Sequence, residues 1–218
     1  MDQLIFKFPF SKKYYEQDFF VSSNNFSAYK LIESWPTWPG KWLNIFGDSG
    51  SGKTHLSKIL EKKIKKIKLI DAKNIDNQIV QNLNNIDCLI IDSFNNNINE
   101  KLLYSILNQS RQLENYVLIN SNTSIKNSKF ELTDLQSRIN SFLYIGIELP
   151  NDELLKVIIS KTLSDKQISI NPKISDFIIN NVERSYEKMF KFLKEVDELS
   201  LSTGKSININ LIKKVLNQ

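Results

Sequence analysis

Up to about residue 150, apolar runs alternate with stretches of helical period; beyond it only the helical period remains. Trp42, Leu43, Ile45 and Phe46 predict a buried strand, and Leu56, Ile59, Leu60 and Ile64 recur at the spacing of a helix behind it. Ile67 to Ile70 predict a second short strand, followed by a polar helix through Ile75, Ile79 and Leu83. Cys88-Leu89-Ile90-Ile91-Asp92 is continuously apolar until its last residue, the pattern of a strand buried on both faces of a parallel sheet. A helix through Leu102, Leu103, Ile106, Leu107 and Leu113, a strand over Tyr116 to Asn120, a helix over Leu132 to Ser141 and a fifth strand over Leu143 to Leu149 complete this part. Ahead of it, Ala28, Leu31 and Ile32 mark a helix that Asn25 can cap. After Pro150, four helices are predicted: one opened by Asn151 or Asp152, one behind Pro172, one from Ser185 to the stop at Gly204, and a short last one holding Ile209, Leu211, Ile212 and Val215. The expected architecture is an α/β domain with a small all-α lid.

Between the first strand and its helix stands Gly47-Asp48-Ser49-Gly50-Ser51-Gly52-Lys53-Thr54, which fits G-x-x-x-x-G-K-[ST], the phosphate-binding loop of P-loop nucleotidases. Glycines let the loop curl so that successive backbone N–H groups face a phosphate chain, and the helix adds its N-terminal N–H groups and dipole. Lys53 supplies a point charge for the β- and γ-phosphates and Thr54 a hydroxyl ligand for Mg2+. Asp92, at a strand end some forty residues on, is the candidate for the Mg2+ site through water, with a turn cap as the alternative. Ser93 follows, where many active ATPases carry a second acid that polarises the attacking water; a serine is no general base at neutral pH without help, so the chain's own turnover is left open. Asn122, after the fourth strand, can reach a γ-phosphate or bond its own backbone.

Composition narrows the classes. The chain has 218 residues, 41% hydrophobic and 24% charged, ordinary values for a globular protein. It lacks an apolar run near the ~18 residues a membrane span needs, and its first residues have no signal-peptide core, so a cytoplasmic protein without membrane contact is expected. The single cysteine, Cys88, excludes an internal disulfide and reads as a core thiol. The net charge of +5 permits contact with nucleic acid or an acidic partner. Lys62, Lys63, Lys65, Lys66 and Lys68 form a basic run whose bland reading is a solvated face. The tryptophans of Trp35-Pro36-Thr37-Trp38-Pro39 read as packing residues, with an aromatic ligand platform as the alternative. At the N-terminus, Leu4, Phe6 and Phe8 pack on the chain's own domain or on a partner.

Gln-Asp-Phe-Phe-Val (17–21), Asn25, Trp-Pro-Thr-Trp-Pro (35–39), Gly-Lys-Thr-His-Leu (52–56) and Leu-Thr-Asp-Leu-Gln-Ser-Arg (132–138) resemble the DnaA-related AAA+ ATPases. Within them the sequence is similar to the Hda family of DnaA regulatory inactivators, in its alphaproteobacterial form, over essentially the whole chain. The resemblance implies an AAA+ P-loop domain with a parallel five-stranded sheet flanked by helices, followed by the helical lid. It implies a clamp-binding tail over 1–10, a nucleotide-binding domain over 11–150 and the lid over 151–218, with no counterpart of DnaA's N-terminal or DNA-binding domains. Gln3, Leu4, Phe6 and Phe8 would dock in the cleft of the DNA polymerase III β sliding clamp. Arg138 stands where the family carries an arginine finger for ATP bound to DnaA; an exposed arginine pairing with Asp134 is the alternative. The nucleotide, ADP in the active form or ATP, and its Mg2+ would be held by residues 47–54 with His55, Asp92 and Asn122; Phe20 and Val21 are the candidates for the adenine. Glu187 falls where the family carries a lid arginine, and Arg184 or Lys188 is the candidate substitute. The expected function is negative regulation of replication initiation, with DNA reached through the clamp, self-association open and weak or absent ATPase activity of its own. A helicase-loader ATPase and a clamp–DnaA adaptor without finger chemistry are the alternatives.

Overall fold

The computed structural model describes residues 14–217, in two compact units: one from Tyr14 to Glu148, the other from Leu149 onward. Gln3, Leu4, Phe6 and Phe8 lie outside the described residues.

The first unit is built on five parallel strands, β1 (Trp42–Phe46), β2 (Ile67–Asp71), β3 (Cys88–Phe94), β4 (Tyr116–Ser121) and β5 (Leu143–Gly146), in the order β2-β3-β4-β1-β5. One helix, α1 (Phe26–Glu33), precedes β1, and four connect the strands: α2 (Lys53–Lys63), α3 (Asn77–Asn82), α4 (Glu100–Gln112) and α5 (Thr133–Ile139). The central strands are apolar on both sides because both sides are covered. Leu89, Ile91, Val117 and Ile119 join Leu103, Ile106, Leu107, Leu135 and Ile139 of α4 and α5 in one core. The alternate residues Leu43, Ile45, Ile90 and Leu118 are also buried and point the other way, toward the side where Ser57 of α2 is bonded to Asn120 of β4. The result is a three-layer α/β/α unit.

This order brings the carboxyl ends of β3, β4 and β1 side by side, with β4 between the other two. In parallel α/β sheets that edge is where ligands are held. A buried amide fixes it. Asn44 of β1, fully buried, donates to the Ile119 carbonyl and the Ser121 hydroxyl, both at 2.9 Å, and accepts from the Ile125 N–H at 3.1 Å. It ties β1 to the end of β4 and to the turn beyond. Asn44→Ala leaves the buried Ile125 N–H without its acceptor and removes a donor from the Ile119 carbonyl and the Ser121 hydroxyl, a cost of about 1–3 kcal/mol. At about 2–4 °C per kcal/mol for a chain of this size, the melting temperature followed by circular dichroism should drop by several degrees.

Three elements differ from the sequence pattern. The stretch through Ile75, Ile79 and Leu83 is not one helix: α3 spans Asn77–Asn82, with 3-10 turns over Ala72–Asn74 and Leu83–Asn85 on either side, and the carboxylates of Asp71 and Asp76 bond the N–H groups that begin the first turn and α3. β5 stops at Gly146 rather than Leu149, because its neighbour β1 ends at Phe46 and the Ile147 N–H makes the last bond, to the Phe46 carbonyl at 2.7 Å. Asn25 precedes α1 without capping it; its amide accepts from the Ser22 N–H and donates to the Phe20 carbonyl, both at 2.9 Å, and so holds the turn before the helix.

The second unit contains α6 (Asp152–Ser164), α7 (Pro172–Asn181), α8 (Tyr186–Thr203) and α9 (Ile209–Leu216). Its core joins Leu155, Ile159, Ile178, Met189, Leu193, Val196 and Ile212. Asn151 caps α6 by accepting from the Leu154 N–H at 2.9 Å, and Gly204 ends α8 in the left-handed region. Among the described residues, no helix is long and apolar enough to cross a membrane.

Candidate nucleotide-binding site

The loop after β1 passes closer to its neighbours than a side chain permits. A Cβ at Gly47 would stand 2.7 Å from the Ile147 carbonyl oxygen. Gly52 adopts φ +98 as the residue before α2, and a Cβ there would stand 2.8 Å from the Phe19 ring. The loop between them is tied by Ser51 N–H to Asp48 carbonyl, 3.2 Å, and joined to the sheet by Gly47 N–H to Ser121 carbonyl, 3.3 Å. The sequence forms this cradle because glycine alone fits both ends of the turn, and its exit is the N-terminus of an eleven-residue helix.

Lys53 opens α2 and reaches back over the loop. Its ammonium donates to the Gly47 carbonyl at 2.6 Å, the Asp48 carbonyl at 2.8 Å and the Ser51 hydroxyl at 3.4 Å. Burial holds it below the usual lysine range, against the opposing charges of Asp92 and Asp48. The Thr54 hydroxyl donates to Asp92 Oδ2 at 2.8 Å. Asp92 is 8% exposed, and its Oδ1 accepts from the Asn120 amide at 2.9 Å and from the Ser93 N–H at 3.0 Å. β3 pairs with β4 at Ile91 and again at Phe94, with an irregularity between, and there Ser93 takes φ +57 and is exposed. The bulge turns the Asp92 carboxylate toward Thr54.

These residues fit a phosphate chain and a hard divalent cation. A curled loop at a helix N-terminus, with an ammonium over it, suits phosphate oxygens. A hydroxyl beside a single carboxylate suits Mg2+, which keeps several waters and takes other ligands from the phosphates. Among the described residues there is no cluster of three or more His, Cys, Asp or Glu side chains that would form an all-protein metal cage.

Residues 14–20 run along α2. His55 Nε2 lies 2.7 Å from the Tyr15 carbonyl oxygen, and its ring meets those of Tyr14 and Phe19 edge-on, each at 5.3 Å. Lys62 donates to the Tyr14 carbonyl at 2.6 Å, and its ammonium lies 5.5 Å from the centre of the Tyr15 ring. Phe19, rather than Phe20, is the aromatic ring against the loop; Phe20 is exposed and Val21 half-buried. In the basic run, Lys62 is engaged in this way and Lys63 pairs with Glu33, while Lys65, Lys66 and Lys68 are exposed. Trp35 and Trp38 pack with Tyr116 at the amino end of β4, with ring centroids 4.2 and 5.6 Å from it, at the opposite end of the sheet from the loop.

Asn122 lies just beyond β4 and is exposed, whereas the buried polar side chain of that strand's end is Asn120. Asn120, Ser57 and Phe19 were not singled out from the sequence. The signal for Asn120 was there: a polar residue inside an otherwise apolar strand run. Arg138, in α5, is half-buried, and its Nε donates to Asn108 of α4 at 2.6 Å; its partner is this amide and not Asp134. Glu100, at the start of α4, accepts from the N–H groups of Glu131 at 3.1 Å and Leu132 at 2.9 Å, which anchors the approach to α5. Within the second unit, Arg184 pairs with Asp152 at 2.9 Å and Lys188 with Glu183 at 3.8 Å.

A parallel five-stranded sheet with this loop at the end of β1, beside the central strand β4, and a four-helix unit after it define the class of P-loop α/β nucleotide-binding folds. Among solved structures the fold is similar to domain III of the Thermotoga maritima replication initiation protein DnaA, with a TM-score of 0.74 over 96% of this chain and 98% of that one at 19% identity. It is also similar to AMPPCP-bound DnaA from Aquifex aeolicus, with a TM-score of 0.69 over 88% of this chain and 67% of that one at 19% identity. The chromosomal replication initiator protein DnaA of Borreliella burgdorferi is 26% identical over 97% of this chain and 54% of its own length. The chain therefore spans about half the length of the curated DnaA relatives it matches. Residues 152–216, α6 to α9, match the family model for the lid domain of Hda. The chain is thus similar to DnaA along most of its length, and its last four helices are similar to the Hda lid domain.

Proposed function

We propose that this chain is a nucleotide-dependent negative regulator of replication initiation that acts on DnaA. The match of its lid to the Hda family carries the reading. Residues 47–54 with Asp92 hold ADP, or ATP, and Mg2+; Gln3, Leu4, Phe6 and Phe8 dock on the β sliding clamp; Arg138 is presented to ATP bound on DnaA, so that the hydrolysed bond belongs to the partner. Ser93, exposed where a second acid would stand, supports weak turnover by the chain itself.

One observation favours a second reading, an adaptor that joins DnaA to the clamp without finger chemistry. Arg138 is engaged with Asn108, as a clip between α4 and α5 would be.

The experiment is clamp binding by the intact chain and by a Gln3→Ala/Leu4→Ala variant, followed by calorimetry or surface resonance. The expected result is a loss of affinity of roughly tenfold or more, the burial energy of one apolar anchor together with its rim hydrogen bond. An intact chain that does not bind the clamp overturns both readings.

A further inference from the structure

We infer that Asn120 is the positioning residue of the metal side of this site: it fixes the Asp92 carboxylate so that Oδ2 is the oxygen presented beside Thr54. The inference rests on the nucleotide and Mg2+ part of the reading above.

Asn120 is fully buried at the carboxyl end of β4. Its Nδ2 makes two contacts, one to Asp92 Oδ1 at 2.9 Å and one to the Ser57 hydroxyl at 2.7 Å. A primary amide has two hydrogens, so both are committed. Its Oδ1 is buried and has no partner among the described residues. The orientation of the amide follows from this environment: a carboxylate only accepts, and turning the amide over would set its oxygen against Asp92. A buried acceptor left unpaired is unfavourable, so the contact to Asp92 decides how the side chain sits.

The two oxygens of Asp92 are thereby made unequal. Oδ1 takes two donors, the Asn120 amide and the Ser93 N–H. Oδ2 takes the Thr54 hydroxyl. Thr54 is the hydroxyl that the loop motif assigns to Mg2+, so Oδ2 is the oxygen on the metal side and Oδ1 is the one pinned to the protein. Ser57 is in turn fully buried in α2, one helical turn after Lys53, so the amide links the strand carrying it to the helix carrying Lys53 and Thr54. Asp92, Thr54 and the loop therefore share one hydrogen-bonded frame whose central member is a side chain that touches neither phosphate nor metal. Groups in that place orient a ligand, and their removal costs roughly 10- to 100-fold in metal affinity.

The test reads ADP affinity by calorimetry with and without Mg2+, in the wild type, in Asn120→Leu, which keeps the volume and removes the donors, and in Ser57→Ala, which frees one side of the amide. The expected result is that the ratio of the two affinities falls roughly tenfold or more in Asn120→Leu and by a smaller factor in Ser57→Ala. Adding Asn120→Leu to Asp92→Ala should change the ratio no further, because both act through the same oxygen. A merely structural role would lower both affinities and the melting temperature together and leave the ratio where it was; that result overturns the inference. So does a wild type whose ADP affinity does not respond to Mg2+. Failure of the wild type to bind ADP at all overturns the nucleotide reading itself. Should Asn120→Leu not fold, Ser57→Ala alone decides, with an unchanged ratio counting against the inference.

Discussion

Replacing Lys53 with alanine should remove nucleotide binding while leaving the fold in place. The ammonium lies over the loop and is bonded to the carbonyls of Gly47 and Asp48. It contributes nothing to the cores of either unit. Facing a phosphate chain, it would exchange these carbonyls for anionic oxygens, and hydrogen bonds to charged groups are worth about 1.5–3 kcal/mol each. Loss of two of them lowers ADP affinity at least ~100-fold. Burial already holds the ammonium below the usual lysine range, so its removal relieves a desolvation cost in the nucleotide-free chain, and the melting temperature should move by no more than ~2 °C. Calorimetric titration with ADP and a thermal melt check the two halves. Undiminished binding by Lys53→Ala would sink the assignment of the loop as the nucleotide site.

Arg138→Ala is expected to have the other large effect, and it is read on the partner. If Arg138 reaches ATP on DnaA, the variant should lose roughly 1,000-fold or more of the stimulated hydrolysis rate, the range that a finger supplies. Clamp binding and the circular dichroism spectrum should be unchanged, since α5 is held by Leu135 and Ile139 in the core and by Glu100 at its approach. Arg138→Lys should not rescue, because a point charge does not fork onto phosphate oxygens. Stimulation that survives both substitutions would leave Arg138 as the clip to Asn108 and move the adaptor reading ahead.

The central strands were legible because they are buried on both faces. Cys88 to Ile91 is continuously apolar, and no helix-periodic reading accommodates it as well. The loop was legible because its chemistry fixes residue types at fixed spacing. What sequence pattern did not reach is contact between distant positions. Asn120 meets Asp92 and Ser57 across the sheet, and Arg138 meets Asn108 across two helices; neither pairing has a local signature. Phe19 and Phe20 are adjacent and alike, and only the position of the ring against Gly52 separates them. The end of β5 was set by β1, a neighbour that lies nearly a hundred residues earlier. Asn25 looked like a cap because it precedes a helix, but its amide was taken by the turn.

The abundance of asparagine, which reads in the sequence as mere bias, has a use at the starts of helices. Asn99, Asn151, Asn171 and Asn208 each accept from the first turn of α4, α6, α7 and α9. An amide cap has no proton to gain. Three of these four starts belong to the second unit, where every side-chain cap among the described helices is an amide. In the first unit Asp76 caps α3 with a carboxylate, which brings a charge that an amide does not. The amide-capped starts of α4, α6, α7 and α9 therefore satisfy first-turn N–H groups without adding charge, so the asparagines do this work and leave the chain's net charge of +5 untouched.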